Sequence, residues 1–453
     1  MKDYITIIGG GLAGSEAAYQ IAKRGIKVKL YEMKPNKYSP AHNNKDLAEI
    51  VCSNSFKSNL HTNACGLLKE ELRLLDSLLI KTADETSVPA GQALAVDREK
   101  FSKRITEQLE KNEKIEIIHD EIKDLEGLIN DGIVIIATGP LTSEDLSKSI
   151  GKLTGVDKLA FYDAAAPIVE KNSIDMSIAF YGDRYEEERK KDEDIEEWKK
   201  RIENIEASYI NLPMNKEEYE SFVNELINAE VVELHNFEKR EIFEGCMPVE
   251  IMAKRGLDTL RFGPLKPVGF TDLRTGKRPY AIVQLRQDNE EGTIYNIVGF
   301  QTNLKFGEQK RVFSMIPGLE NAEFIKYGVM HRNTFIESPK LLDETYNLKK
   351  NKNVYFAGQI TGVEGYVESI SSGMVAALNA IEQYNNSGKK IIFPKETMIG
   401  ALAKYVTTEN DKFQPMNANF GIVPQLDERI KDKKIKYGKL ADIAINKLKE
   451  MKL

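Results

Sequence analysis

Residues 4 to 14 constrain this chain more than any other stretch. Tyr4-Ile5-Thr6-Ile7-Ile8 is a short apolar, β-branched run that stops at Gly9-Gly10-Gly11-Leu12-Ala13-Gly14. Ala17, Ala18, Ile21 and Ala22 then recur at helical spacing up to Lys23-Arg24-Gly25. The order predicts strand, tight turn and helix, and a second strand from Lys27 to Tyr31 completes a βαβ unit of about thirty residues. In G-x-G-x-x-G the first glycine makes the turn, the second lets backbone approach a pyrophosphate, and the third lets the helix pack on the strand. The helix start adds N–H groups and the positive end of its dipole, both of which favour phosphate. Glu32, eighteen residues after Gly14, stands where a carboxylate accepts from ribose hydroxyls, and it disfavours a 2′-phosphate. Gly9, Gly10, Gly11, Leu12, Ala13, Gly14 and Glu32 therefore predict a dinucleotide site for FAD or NAD.

Two distal segments repeat the strand-then-glycine pattern. Ile133 to Ile136 runs into Ala137-Thr138-Gly139-Pro140, and Asn353-Val354-Tyr355-Phe356-Ala357-Gly358 precedes a predicted helix from Ser369 to Ile381. The first and last of these units lie more than 300 residues apart, so one nucleotide-binding domain is interrupted by an insertion. The expected fold is α/β: a Rossmann-like FAD-binding domain (1–164 and 331–453, the latter with a helical end) interrupted by a smaller α+β insertion domain (165–330). Gly139 and Gly358 resemble further contact points of FAD enzymes in which the cofactor lies extended. Gln359 stands where many flavoproteins have Asp. The helix after Gly358 would aim its positive end at the flavin ring.

Length and composition set the remaining bounds. At 453 residues the chain has room for two or three domains of about 150 residues. Lys+Arg 64 against Asp+Glu 70 gives −6, which argues against a protein that coats nucleic acid over its whole surface. No stretch approaches the ~18 apolar residues of a membrane span, and three cysteines form no disulfide framework. A cytoplasmic protein is expected. There is no C-x-x-C, and the five His are scattered, so neither a metal site nor a thiol–disulfide reductase is expected. Cys65 opens a helical pattern and reads as a small buried hydrophobe. Cys52 lies in polar Val51-Cys52-Ser53-Asn54-Ser55, and Cys246 lies in a turn bracketed by Gly245 and Pro248. A single activated thiolate with a second group moving a proton is the chemistry open to these two.

Taken together, several segments resemble the TrmFO family of folate- and FAD-dependent tRNA (uracil-5-)-methyltransferases. They are Ile8-Gly9-Gly10-Gly11-Leu12-Ala13-Gly14-Ser15-Glu16-Ala17-Ala18, Val51-Cys52-Ser53-Asn54-Ser55, Phe243-Glu244-Gly245-Cys246-Met247-Pro248-Val249-Glu250, Arg261-Phe262-Gly263-Pro264-Leu265-Lys266-Pro267-Val268-Gly269, Met330-His331-Arg332-Asn333-Thr334 and Phe356-Ala357-Gly358-Gln359-Ile360-Thr361-Gly362-Val363-Glu364-Gly365-Tyr366. The glucose-inhibited division protein A flavoproteins are a more distant resemblance. The likeness implies methylation of C5 of a uridine in the tRNA T-loop, with 5,10-methylenetetrahydrofolate as carbon donor and FADH2, reduced by NAD(P)H, as reductant. It implies Cys246 as the nucleophile at uracil C6 and Cys52 as the proton-abstracting or flavin-protecting partner, or the reverse order. Three alternatives stand beside it: the same chemistry on a 23S rRNA uridine, a flavin oxidoreductase that does not act on RNA, and a noncatalytic FAD-bearing RNA-binding or partner protein, which leaves Cys246 in its turn unexplained.

Charge patterning adds expectations about surfaces. Residues 186 to 201 alternate acidic and basic blocks and predict an exposed helix laced with ion pairs. Residues 429 to 453 carry nine Lys/Arg and three Asp/Glu, with Ile430, Leu440, Ile443, Ala444 and Leu448 spaced as an amphipathic helix. Lys254, Arg255, Arg261, Lys266, Arg274, Lys277 and Arg278 are candidates for phosphate contacts.

Overall fold

The computed structural model describes residues 2–452 apart from 156–158, 165, 186–188, 191, 203–206, 233–246, 273, 329, 411–412 and 429. Five parallel strands lie in the spatial order Val354–Phe356, Val134–Ile136, Tyr4–Ile8, Lys27–Tyr31 and Ile115–Ile118. Counted along the chain the order is 5-4-1-2-3, so the direction of travel switches beside Tyr4–Ile8, where α/β sheets open a crevice at their carboxyl ends. Ile5, Ile7, Val28, Leu30, Val134, Ile135 and Ile136 are all buried, because a parallel sheet covered on both faces needs apolar side chains on both. The helices Leu12–Lys23 and Tyr366–Tyr384 pack against each other under the crevice. A Cβ on Gly373 would come within 2.3 Å of the Ala13 carbonyl oxygen, so only glycine allows this approach. The second helix begins three residues before the predicted Ser369 and runs three beyond Ile381.

A second core gathers around six antiparallel strands, in the order Phe180–Tyr181, Tyr209–Met214, Ala281–Gln287, Ile294–Ile297, Ile168–Glu170 and Phe324–Lys326. Ile210, Leu212, Phe222, Val283, Leu285, Phe300 and Phe313 fill it. The chain passes between the two cores twice, and the crossing strands Leu159–Ala164 and Met330–Phe335 pair with each other antiparallel.

Two surface expectations are corrected. Among the described residues of 186 to 201, helix begins only at Ile195, in the element Ile195–Ile202, and Trp198 is buried at 1% exposure, so one apolar side chain anchors the block. Arg201 reaches outside the helix to Glu193 at 2.6 Å, and Arg189 Nε donates to the Glu193 carbonyl. The last helix spans Lys433–Glu450, with Asp432 accepting from the N–H groups of Lys434 and Ile435. Leu440, Ala441, Ala444 and Leu448 form its buried stripe, whereas Ile443 falls to the side and is exposed.

Candidate active site

At the carboxyl ends of the parallel strands a cleft of ≈ 1410 Å³, counting its open mouth, is lined by Gly9, Gly10, Gly11, Leu12, Ala13, Glu32, Gly139, Gly358, Gln359 and Cys52. Gly14 stands behind the lining. A Cβ there would sit 1.8 Å from the Gly9 carbonyl oxygen, which is the close helix-on-strand contact expected of the third glycine. Gly11 caps the Leu12–Lys23 helix without any side-chain cap bond, and a Cβ on it would meet nothing within 4 Å. The loop thus presents a helix start to an open cradle, which fits a pyrophosphate.

Glu32 closes the cradle from the next strand. Its Oε2 accepts from the Gly10 N–H at 2.9 Å and its Oε1 from the Lys34 N–H at 3.0 Å. The carboxylate is buried and aimed by two backbone donors, with lone pairs left for hydroxyl donors. On the far wall, the Gln359 amide nitrogen donates to Glu364 Oε2 at 2.7 Å. The Tyr366–Tyr384 helix starts at Gly365 without a side-chain cap, and Tyr366 and Ser369 of its first turn line the cleft. Its positive end therefore faces the cleft, as the sequence predicts, from a start three residues earlier.

Cys52 is half-buried on the cleft wall and sits in a segment clamped from three directions. The Tyr366 hydroxyl accepts from the N–H of Cys52 at 2.9 Å and of Ser53 at 3.0 Å. Arg98 Nη1 donates to the carbonyls of Ile50 (3.3 Å) and Val51 (3.2 Å), while its Nε donates to Asp288 at 3.1 Å. Arg286 donates to Ser53 Oγ at 2.7 Å and Asn54 Oδ1 at 3.0 Å. Burial opposes the Arg98 charge, but Asp288, Tyr366 and Cys52 outweigh it and hold the guanidinium above its ordinary value. Asp288 and Arg286 belong to the antiparallel unit, so that unit helps to fix the thiol beside the nucleotide cradle.

Cys65 is different. It is buried at the start of the Ala64–Leu74 helix, its Sγ donates to the Phe56 carbonyl, and burial pushes its thiol up to about 11. Cys246 lies outside the described residues. Lys254, Arg255, Lys266, Lys277 and Arg278 are exposed. Arg261 and Arg274 are already ion-paired within the chain, to Asp258 at 2.6 Å and Asp272 at 3.0 Å. Tyr366, Arg98, Arg286, Lys34, His42 and Glu49 have no part in the sequence-predicted site. Tyr366 closes the quoted Phe356–Tyr366 segment, but no spacing rule marks a tyrosine as the acceptor for a loop 313 residues away. Among the described residues no three His, Cys, Asp or Glu side chains could hold a metal, and no helix is long and apolar enough to cross a membrane.

The family model of glucose-inhibited division protein A matches residues 4–388. A protein of Acetivibrio thermocellus named methylenetetrahydrofolate–tRNA-(uracil-5-)-methyltransferase TrmFO is 60% identical over 451 residues, 99% of each chain. The chain belongs to the TrmFO family. A second TrmFO, from Fusobacterium nucleatum, is 57% identical over 449 residues, again 99% of each chain. The structure of Aquifex aeolicus GidA covers 99% of this chain and 76% of its own with a TM-score of 0.66 at 18% identity, a likeness of fold. The TrmFO relatives match from end to end, through both cores.

Proposed function

We propose that this chain methylates C5 of a uridine in the T-loop of tRNA, giving ribothymidine, with 5,10-methylenetetrahydrofolate as carbon donor and FADH2, reduced by NAD(P)H, as reductant. One observation carries the reading: in a TrmFO-family chain, Cys52 stands on the wall of the same cleft as the Gly9–Ala13 cradle and Gly358. The residues fit FAD. Gly9, Gly10 and Gly11 and the helix start at Leu12 and Ala13 would hold its pyrophosphate, Glu32 its adenosine ribose, and Gly139, Gly358 and Gln359 its extended middle. Bound FAD supplies hydride chemistry that no side chain offers.

The protein's own groups do the rest. Uracil C5 is a poor nucleophile until a thiolate adds to C6 and places an electron pair on C5. Cys246 is assigned that addition. The C5 proton must then leave, and Cys52 is assigned its removal, with Tyr366 and Arg98 fixing the backbone on either side. Residues 1–164 and 331–453 form the FAD-holding domain and 165–330 the insertion whose Arg286 and Asp288 brace the Cys52 segment, in a cytoplasmic enzyme.

The test uses the purified protein, NADH, methylenetetrahydrofolate labelled in its methylene carbon, and tRNA and 23S rRNA transcripts side by side. Label is expected in ribothymidine of tRNA. Label in rRNA alone would move the substrate, and none in either would sink the methyltransferase reading. A 5-fluorouridine RNA should form a covalent adduct with the wild type and with Cys52→Ala but not with Cys246→Ala. An adduct that survives in Cys246→Ala and is lost in Cys52→Ala exchanges the two roles.

A further inference from the structure

Among the described residues, the most exposed large apolar side chain is Phe262, 83% exposed at the end of the short turn Thr259–Phe262. Its backbone is held from both sides. Leu260 is fully buried, and its carbonyl accepts from the N–H groups of Gly263 (3.1 Å) and Leu265 (2.9 Å). Arg261 stacks 3.5 Å over the Tyr280 ring and donates to the Tyr280 carbonyl and to Asp258. The ring is therefore presented to solvent by a fixed turn, and its apolar surface stays hydrated at a cost that nothing in the fold requires.

Charge in the segment that carries the ring runs against the chain as a whole. Residues 252 to 280 hold seven Lys/Arg and two Asp, in a protein whose net charge is −6. Both aspartates are neutralised by arginines, Asp258 by Arg261 and Asp272 by Arg274. Lys254, Arg255 and Lys266 are exposed in the same segment as Phe262. An aromatic face among exposed cations matches an unpaired, unstacked base with its flanking phosphates.

The position suits a contact remote from the chemistry. Tyr280, which carries Arg261, precedes the strand Ala281–Gln287, and the Gln287 carbonyl at its far end accepts from Asn54 Nδ2 beside Cys52. Seven extended residues at about 3.3 Å each span about 23 Å. We propose that Phe262 is a stacking platform for an unpaired base of the substrate RNA, near the end of this strand remote from the thiol site, with Lys254, Arg255 and Lys266 on the neighbouring phosphates. The inference rests on the RNA-modifying function proposed above.

Binding of an unmodified tRNA transcript to the flavin-loaded protein, measured across a salt series without folate, tests it. Phe262→Ala should weaken binding about tenfold with the slope against log salt unchanged, and Phe262→Trp should restore it. Lys254→Gln should weaken binding and lower the slope by about one. Melting temperature and bound flavin, read on each variant, establish that the fold is intact. Binding by Phe262→Ala within twofold of the wild type overturns the proposal. So does unchanged RNA binding with altered sedimentation, which would assign the ring to a second copy of the chain. A protein that binds tRNA through Phe262 yet transfers no label overturns the methyltransferase reading alone. Label transfer with unaltered binding in Phe262→Ala overturns this proposal alone.

Discussion

A single phenolic oxygen, that of Tyr366, takes both backbone N–H groups that lead into and follow Cys52. Phenylalanine would keep the ring, which lies 5.6 Å from that of Phe56, and leave both donors without their acceptor. An unsatisfied, partly buried donor costs about 1–3 kcal/mol. Tyr366→Phe is therefore expected to lower stability by about that amount in chemical denaturation and to change the rate at which iodoacetamide alkylates Cys52, with Cys65 as the buried reference. An unchanged Cys52 rate would deny the clamp. Glu32 was readable in the sequence because a βαβ unit fixes the distance from glycine loop to the end of the second strand, and the structure returns it on the cleft wall. Tyr366, Arg98 and Arg286 were not readable, since each acts on residues 50–54 across 47 to 314 positions of chain. No local period encodes such a meeting.

Between elements, Glu71 pins one helix to another. It sits on Ala64–Leu74, and its two oxygens accept from the N–H groups of Met398 (2.7 Å) and Ile399 (2.9 Å), the first turn of Met398–Thr407. Burial outweighs those two bonds and raises its carboxyl from 4.5 to about 8. The folded protein thus keeps this proton over a range where the unfolded chain has released it, so stability present below about 4.5 is lost as pH rises toward about 8. Glutamine keeps an acceptor and removes the titration. Melting temperature followed from pH 5 to 8 should fall less steeply in Glu71→Gln than in the wild type, and parallel curves would contradict this. Elements with a strong period were the ones the sequence located well, as Lys27–Tyr31 shows. The block at 186 to 201 misled because one buried Trp198 outweighs the run of charges around it. Ile443 misled because three-residue spacing alone does not place a side chain in the stripe that Leu440, Ala444 and Leu448 define.

For the whole molecule, the nucleotide-binding sheet was legible in three strand-glycine segments, whereas its strand order was not, and nothing in the sequence announced how Arg286 and Asp288 would meet the Cys52 loop. That meeting makes the thiol's setting a joint product of two cores. The paired crossing strands give the arrangement a further property. Met330 lies opposite Ala164 in their register, so the entry and exit of the intervening segment are about one strand spacing, ~5 Å, apart. A chain in which a two-residue turn replaces residues 165–329 is expected to retain yellow, bound flavin in gel filtration and to incorporate no methylene label, and loss of flavin would refute the separation. Read this way, the ribbon is a graft point. A nucleotide-binding sheet can acquire, lose or exchange an entire substrate-reading module there without breaking a strand of its own, so lineages sharing one redox scaffold can diverge in what they modify.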